Sequence, residues 1–333
     1  MSAAKVIKAE ASKSGNSFFQ FFYKYGTLIT ILLLIAVFGT ATDNFLSGSN
    51  VINILRSISI VTIIAIGLTV SLAVGGFDLS VGSTASLANA VVISMFVWHG
   101  QQVGLSILVS LAVCLIVGLI NACLVIFFKI QDMLMTLATM FIFQGVALTY
   151  TRGATISQNM IMPNGDFAEG VIPKLFGKLG QAPWIIAIML VVVTLVHLFL
   201  TYTKHGRYMY MIGGNAEAAK LSGIPVSKYR LTAYLISALF AGIGGIMLGA
   251  RVMSAEVNAG APYLMDAVAA AFIGYSVFGA GKPNALGMFA GAVLIGILSN
   301  GLVMLSVPYY AMDIVKGSVL ALALAVTYYK RNH

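Results

Sequence analysis

The sequence predicts an all-α protein that crosses a membrane about ten times, and three observations lead there. Charged residues make up 9% of the 333 positions, where an ordinary soluble domain has roughly 25%. Hydrophobic residues make up 59% and the mean hydropathy is +0.97, more apolar surface than a soluble core of this length can hide. The apolar residues fall in runs near 27–43, 53–75, 79–98, 104–128, 133–151, 184–202, 230–250, 264–280, 285–305 and 308–328, most of them close to the roughly 20 helical residues that span hydrocarbon.

Residues 1–23 are polar, rich in Ser, Lys and Asn, and are expected to form a cytoplasmic N-terminal segment. Phe18, Phe19, Phe21, Phe22 and Tyr23 suit the interface where the first span begins. A basic leader before an apolar run is also the layout of a signal peptide, with Thr40-Ala41-Thr42 as a loose small-residue site. Nine further spans need no cleaved leader, so the run is expected to stay as the first crossing. Residues 24–330 then form a single transmembrane domain.

Gly75-Gly76-Phe77-Asp78-Leu79-Ser80-Val81-Gly82-Ser83 interrupts some forty apolar residues. The glycines end one helix, and Asp78 is expected to cap the next through the free N–H groups of its first turn, worth about 1 kcal/mol. Ionisable groups at membrane depth also mark translocation pathways, so Asp78 and Ser80 are candidates for that role. The cap is the preferred reading, because the turn lies near one interface. Cys114 and Cys123 stand nine residues apart in one run, on opposite helix faces roughly 13 Å apart, so no disulfide is expected between them.

Residues 152–183 carry Pro163, Gly165, Pro173, Gly177 and Pro183 and are too interrupted to cross, which makes them the largest loop on one side. Residues 203–229 are the largest loop on the other. Glycines beside small residues in Ala241-Gly242-Ile243-Gly244-Gly245 and Gly287-Met288-Phe289-Ala290-Gly291 suit close helix packing in lipid. Asp266 is expected to open the eighth span as a cap or a surface charge, and Asp313 and Lys316, three residues apart, to pair on one face of the last span. The histidines His99, His197, His205 and His333 are scattered and resemble no metal site.

The net charge of +9 is placed by topology rather than by a nucleic-acid surface. With the N-terminus inside, Lys5, Lys8, Lys13, Lys24, Lys129, Lys204, Arg207, Lys220, Lys228, Arg230, Lys282, Lys330 and Arg331 lie inside, against Arg56, Arg152, Lys174, Lys178 and Arg251 outside. That bias sets both termini in the cytoplasm, 152–183 outside and 203–229 inside.

The inside loop holds the most informative segment, Gly213 to Pro225. Asn215 is a good N-cap, Glu217 meets the positive end of a helix dipole, and Ala216, Ala218, Ala219 and Lys220 favour helix. Gly223 supplies a left-handed end and Pro225 prevents continuation. So short a helix is marginal alone and looks built for another protein to push on. The chain has no H-E-x-x-H and no G-x-x-x-x-G-K-[ST]; Gly281-Lys282-Pro283 lacks both the upstream glycine and the hydroxyl residue. An ATP-driven function therefore needs a separate subunit that touches this loop.

Gly75 to Ser83, Thr136-Leu137-Ala138-Thr139-Met140, Gly206-Arg207-Tyr208 followed by Gly213 to Gly223, and Tyr263-Leu264-Met265-Asp266-Ala267-Val268-Ala269-Ala270 resemble the ribose/galactose/xylose-type permeases of bacterial ABC importers, in order over nearly the whole chain. The resemblance implies a type II ABC importer-like permease fold in the bacterial inner membrane. It implies a non-catalytic subunit that pairs with a second permease copy or paralogue and takes a small sugar from an extracytoplasmic binding protein. ATP and Mg would be bound by a tandem-domain ATPase partner, with no cofactor in this chain. The coupling segment falls on Gly213, Gly214, Asn215, Glu217, Ala218, Ala219, Lys220 and Gly223. The pattern departs at Tyr275 and Ala280, where relatives commonly carry glycine pairs. A nucleoside or another small polar solute is the close variant. An ion-coupled secondary transporter, which would place paired acidic residues near the midplane, has only Asp78 and Asp313 to offer.

Overall fold

The computed structural model describes residues 25–162, 165–277 and 281–331. Ten long helices occupy the ten apolar runs. Three lead: α1 (Tyr25–Ala41), α2 (Gly48–Ala73) and α3 (Val81–Val97). After α4 (Val103–Phe127) and α5 (Asp132–Thr151) comes a connection that holds strand β1 (Ile156–Ser157) and helix α6 (Lys174–Leu179). Then α7 (Trp184–Tyr202) leads into two short helices, α8 (Lys204–Gly214) and α9 (Ala216–Leu221). The chain returns through α10 (Val226–Val252), strand β2 (Ser254–Ala255), α11 (Ala261–Ser276), α12 (Ala285–Met304) and α13 (Tyr309–Arg331). Six of these helices are long and apolar enough to cross a bilayer, and α1, α3 and α11 are shorter apolar helices. The expected polar segment 1–23 and the departure at Ala280 lie outside the described residues.

Burial explains why the helices read so differently. Every residue of α2 from Ile58 to Ser71 is buried, and α3 is buried from Val81 to Ser94, the signature of helices apolar all round and wrapped by others. By contrast α4, α5 and α7 bury one face and leave Leu108, Ile116, Phe141, Ile142 and Leu195 exposed, as a lipid-facing surface would. The glycines of α10 set how closely the inner helices approach. A Cβ at Gly242 would meet Cys114 Sγ at 2.7 Å, one at Gly244 would meet Ile64 Cγ1 at 2.4 Å, and one at Gly245 would meet the Ala85 carbonyl at 2.1 Å. Three neighbouring glycines thus seat α4, α2 and α3 in turn, and close packing is their role. Gly291 does the same for α12 against the Ala270 carbonyl of α11. Both cysteines are free thiols.

The two ends of the bundle differ. At one end β1 pairs antiparallel with β2, Ile156 opposite Ala255 and Ser157 opposite Ser254, and α6 plugs Phe176 against Phe96 at 4.8 Å between ring centroids. The connection 152–183 is therefore more ordered than a plain loop: it clasps α3 and α10. At the other end lies α8, which the sequence reading did not foresee within 203–229. Thr203 caps it by accepting from the Gly206 N–H at 3.1 Å, and it buries Gly206, Met209 and Ile212 against the bundle. Tyr210 on α8 donates to the Pro283 carbonyl at 2.8 Å, and burial pushes its hydroxyl up to about 12, so it stays a donor throughout the physiological range.

Candidate functional site

The helix α9 forms as its sequence dictates. Asn215 Oδ1 accepts from the Ala218 N–H at 3.0 Å, Glu217 sits in the first turn and Lys220 in the last. Gly223 adopts φ +81°, a left-handed conformation that closes the helix at little cost only in glycine. Ala219 and Ile224 are the buried anchors, joined by the Ile224 N–H bonding the Ala219 carbonyl at 3.0 Å. Gly214, Asn215, Glu217, Ala218 and Lys220 face outward. So does Leu221, 88% exposed, a residue to which the sequence reading gave no role. Its signal was an apolar side chain two positions before the terminating Gly223, where the single buried face of a six-residue helix was already taken by Ala219.

The base of this module rests on the break in the membrane helices. A Cβ at Gly213 would meet the Ala73 carbonyl at 2.4 Å, and one at Gly75 would lie 3.4 Å from Gly213 Cα. Gly213 is thus where the end of α8 meets the end of α2, and Gly75, at φ +74°, turns the chain away immediately beneath it.

Beyond that contact the break is tied to three helices. Asp78 is fully buried. Its Oδ1 accepts from the Ser80 N–H at 3.0 Å and the Ser80 hydroxyl at 2.6 Å, and its Oδ2 accepts from the Ser237 hydroxyl of α10 at 2.8 Å. Asn121 Nδ2 of α4 donates to Ser80 Oγ at 2.7 Å. The Thr136 hydroxyl of α5 donates to the Phe77 carbonyl at 2.9 Å and accepts from the Leu79 N–H at 3.1 Å. The cap expected of Asp78 is therefore corrected: Ser80 occupies the N-cap position of α3 and no side chain bonds its first turn. A buried carboxylate needs several donors, and the nearest came from its own turn and from α10.

Below Gly76 stands a second polar group. Tyr234 donates to Asp132 Oδ2 at 2.7 Å, Arg230 lies 3.8 Å from Asp132 Oδ1, and a Cβ at Gly76 would meet both Asp132 Oδ2 and the Tyr234 hydroxyl at about the same distance, 2.9 and 3.0 Å. The sequence reading missed Asn121, Asp132, Tyr234 and Ser237. A lone amide, Asn121, and a carboxylate, Asp132, beside apolar runs were the visible signal, but their partners lie on other segments.

Two further expectations are corrected. Asp266 neither opens its helix nor faces outward. It lies one turn inside α11, which starts at Ala261 with Pro262 in its first turn. Lys316 pairs with Asp266, Nζ to Oδ1 at 2.9 Å and to Oδ2 at 3.1 Å, and not with Asp313, which is exposed. The interhelical partner wins because it offers a bidentate carboxylate at partly buried positions. Tyr275, one of the departures from the resembled pattern, stacks on Phe272 at 5.6 Å. Among the described residues no three of His, Cys, Asp and Glu stand close enough to hold a metal ion.

Known proteins match the chain over most of its length. The family described as "Branched-chain amino acid transport system / permease component" matches residues 50–324. The chain is similar to the ribose import permease protein RbsC of Escherichia coli (strain K12), 36% identical over 307 residues that cover 90% of this chain and 92% of the relative. RbsC of Bacillus subtilis (strain 168) is 33% identical, covering 90% and 91%. The xylose transport system permease protein XylH of Escherichia coli (strain K12) is 30% identical, covering 92% and 91%.

Proposed function

The chain belongs to the family of branched-chain amino acid transport system permease components, and from that premise we propose that it is the membrane-spanning subunit of an ATP-driven importer that passes a pentose-like monosaccharide. Relatives similar over nine-tenths of both chains are ribose and xylose permeases, which supports the sugar. The observation that carries the coupling role is α9: a helix capped at both ends, presenting Leu221 and Glu217 outward and seated through Gly213 on the helix break at Gly75.

In this reading the α8–α9 end faces the cytoplasm, in keeping with Lys129, Lys204, Arg207, Lys220, Lys228, Arg230 and Lys282 gathered there. A separate ATPase binds ATP and Mg and receives α9 in a surface groove. Its movement is transmitted through Gly213 to the break between α2 and α3, which Asp78, Ser80 and Thr136 hold as one unit with α4, α5 and α10. A binding protein delivers the sugar at the β1–β2 end, and a second permease copy or paralogue completes the complex.

The test is uptake of labelled D-ribose and D-xylose by cells with and without this chain, its ATPase and binding protein present throughout. Uptake that requires the chain, collapses on ATP depletion and survives a proton uncoupler is the expected result. Uptake that ignores loss of the chain, or that follows the proton gradient instead of ATP, overturns the proposal.

A further inference from the structure

Towards the β1–β2 end, six helices of the one chain enclose a cavity of about 370 Å³, within the ~300–1,000 Å³ range of small-molecule sites. Its polar lining includes Ser57 of α2, Asn89 of α3, Tyr263 and Asp266 of α11, Ser299 of α12 and Lys316 of α13. Leu248 and Val252 of α10 give it an apolar wall, and the exposed Glu256 and Pro262 stand at its rim.

Two polar atoms here have no partner. Asn89, 1% exposed, leaves its Oδ1 unbonded, and so does Ser299 its buried Oγ. Elsewhere in the inner helices the hydroxyls of Thr69, Ser71 and Ser94 return to their own backbone carbonyls, while Thr62 Oγ1, Thr84 Oγ1 and Asn121 Oδ1 are likewise unbonded but line no such space. Buried polar groups left unbonded are uncommon and call for an explanation. Lys316 spends its two short contacts on Asp266, which leaves at least one ammonium hydrogen and further carboxylate lone pairs free for a ligand.

We propose that this cavity is a binding site within a single permease chain for an uncharged polyhydroxylated solute of monosaccharide size. The site rests on the sugar-permease reading and sharpens it. The lining offers both donors and acceptors, as sugar hydroxyls require, and the aliphatic residues with Tyr263 suit the C–H face of a pyranose or furanose. The Asp266–Lys316 pair is neutral as a unit. Glu256 at the rim is matched by Arg251, whose charge reaches Tyr263, so the surroundings hold no excess charge to recruit a carboxylate or a phosphate. A space this large is far more than a structural water needs, about 30 Å³ each.

Ser299→Cys and, independently, Ser57→Cys test the site in vesicles that hold the assembled transporter without ATP. A water-soluble maleimide reports the new thiols, and the parent chain, with Cys114 and Cys123 alone, sets the background. Saturating D-ribose or D-xylose is expected to slow labelling of both variants about fivefold or more, as occupancy of a protecting site requires, while L-leucine and ribose 5-phosphate leave it unchanged. Labelling that no sugar slows, or thiols that never label, while the parent assembly still takes up that sugar, overturns the site and leaves the sugar-permease reading standing. Equal protection by L-leucine overturns the claim for a polyhydroxylated ligand. Failure of the parent assembly to take up any sugar overturns the reading beneath it.

Discussion

Leu221 exposes 88% of its surface on a helix of six residues, so its replacement leaves the fold untouched and reports only on what docks there. Leu221→Glu is expected to change stability by less than about 0.5 kcal/mol while association with the ATPase, measured by co-purification, drops at least about tenfold, as loss of an apolar anchor in a docked interface does. Asp78 is the opposite case: its carboxylate takes three hydrogen bonds in a fully buried setting. Asp78→Ala leaves those donors unpaired and costs on the order of 3 kcal/mol, and the thermal unfolding of purified protein should fall well below that of Asp78→Asn, which keeps one acceptor. For Asp266 and Lys316, the single variant Lys316→Met strands a partly buried carboxylate, so the double variant with Asp266→Asn should unfold at a higher temperature than Lys316→Met alone. These roles were half visible in the sequence. A carboxylate between Gly-Gly and Ser at membrane depth announces a structural demand, but the sequence names only its neighbours along the chain. Ser237, 159 positions away, and Asp266, 50 positions from Lys316, become neighbours only through packing.

The helix α9 was legible in full because its determinants are local: Asn215 caps by bonding three residues ahead, and Gly223 ends the helix through its own φ. Gly223→Pro cannot adopt φ +81°, since proline is held near −65°, and the prediction is a frayed α9 and ATP hydrolysis uncoupled from transport in a protein that still inserts. Glu217→Lys should act in the same direction by placing a cation at the positive helix end. By contrast α8 was not foreseen, because Lys204, His205 and Arg207 break its apolar pattern and its buried face is made of Gly206, Met209 and Ile212, which become a face only once the bundle end is present. Its key contact can be tested by overfilling: Gly213→Val drives a side chain into the Ala73 carbonyl, 2.4 Å from where its Cβ would sit. The cost is about 1–3 kcal/mol, and limited proteolysis should cut the 203–229 segment faster while transport falls.

At the scale of the molecule, ten apolar runs became ten helices, six of them long and apolar enough to cross a bilayer. Their order in space was not legible. Hydropathy does not rank them: α7 is the more apolar of the two, yet 33% of its apolar stretch is buried against 67% for α2, and interhelical fit, through glycines such as Gly244 and Gly245, separates them. The outcome is a machine with an exposed module at one end, a hydrogen-bonded break directly beneath it, and a polar cavity towards the other end. The central claim is that force applied to α9 reaches the translocation path through Gly213 and the break at Gly75. Proteoliposomes holding the permease, its ATPase and internal ATP, with binding protein outside, allow sugar uptake and ATP hydrolysis to be measured on one preparation of wild type and of Gly213→Val. The account predicts that Gly213→Val keeps the ATPase bound and hydrolysing while uptake per ATP falls at least about tenfold. Uptake per ATP equal to wild type would contradict it.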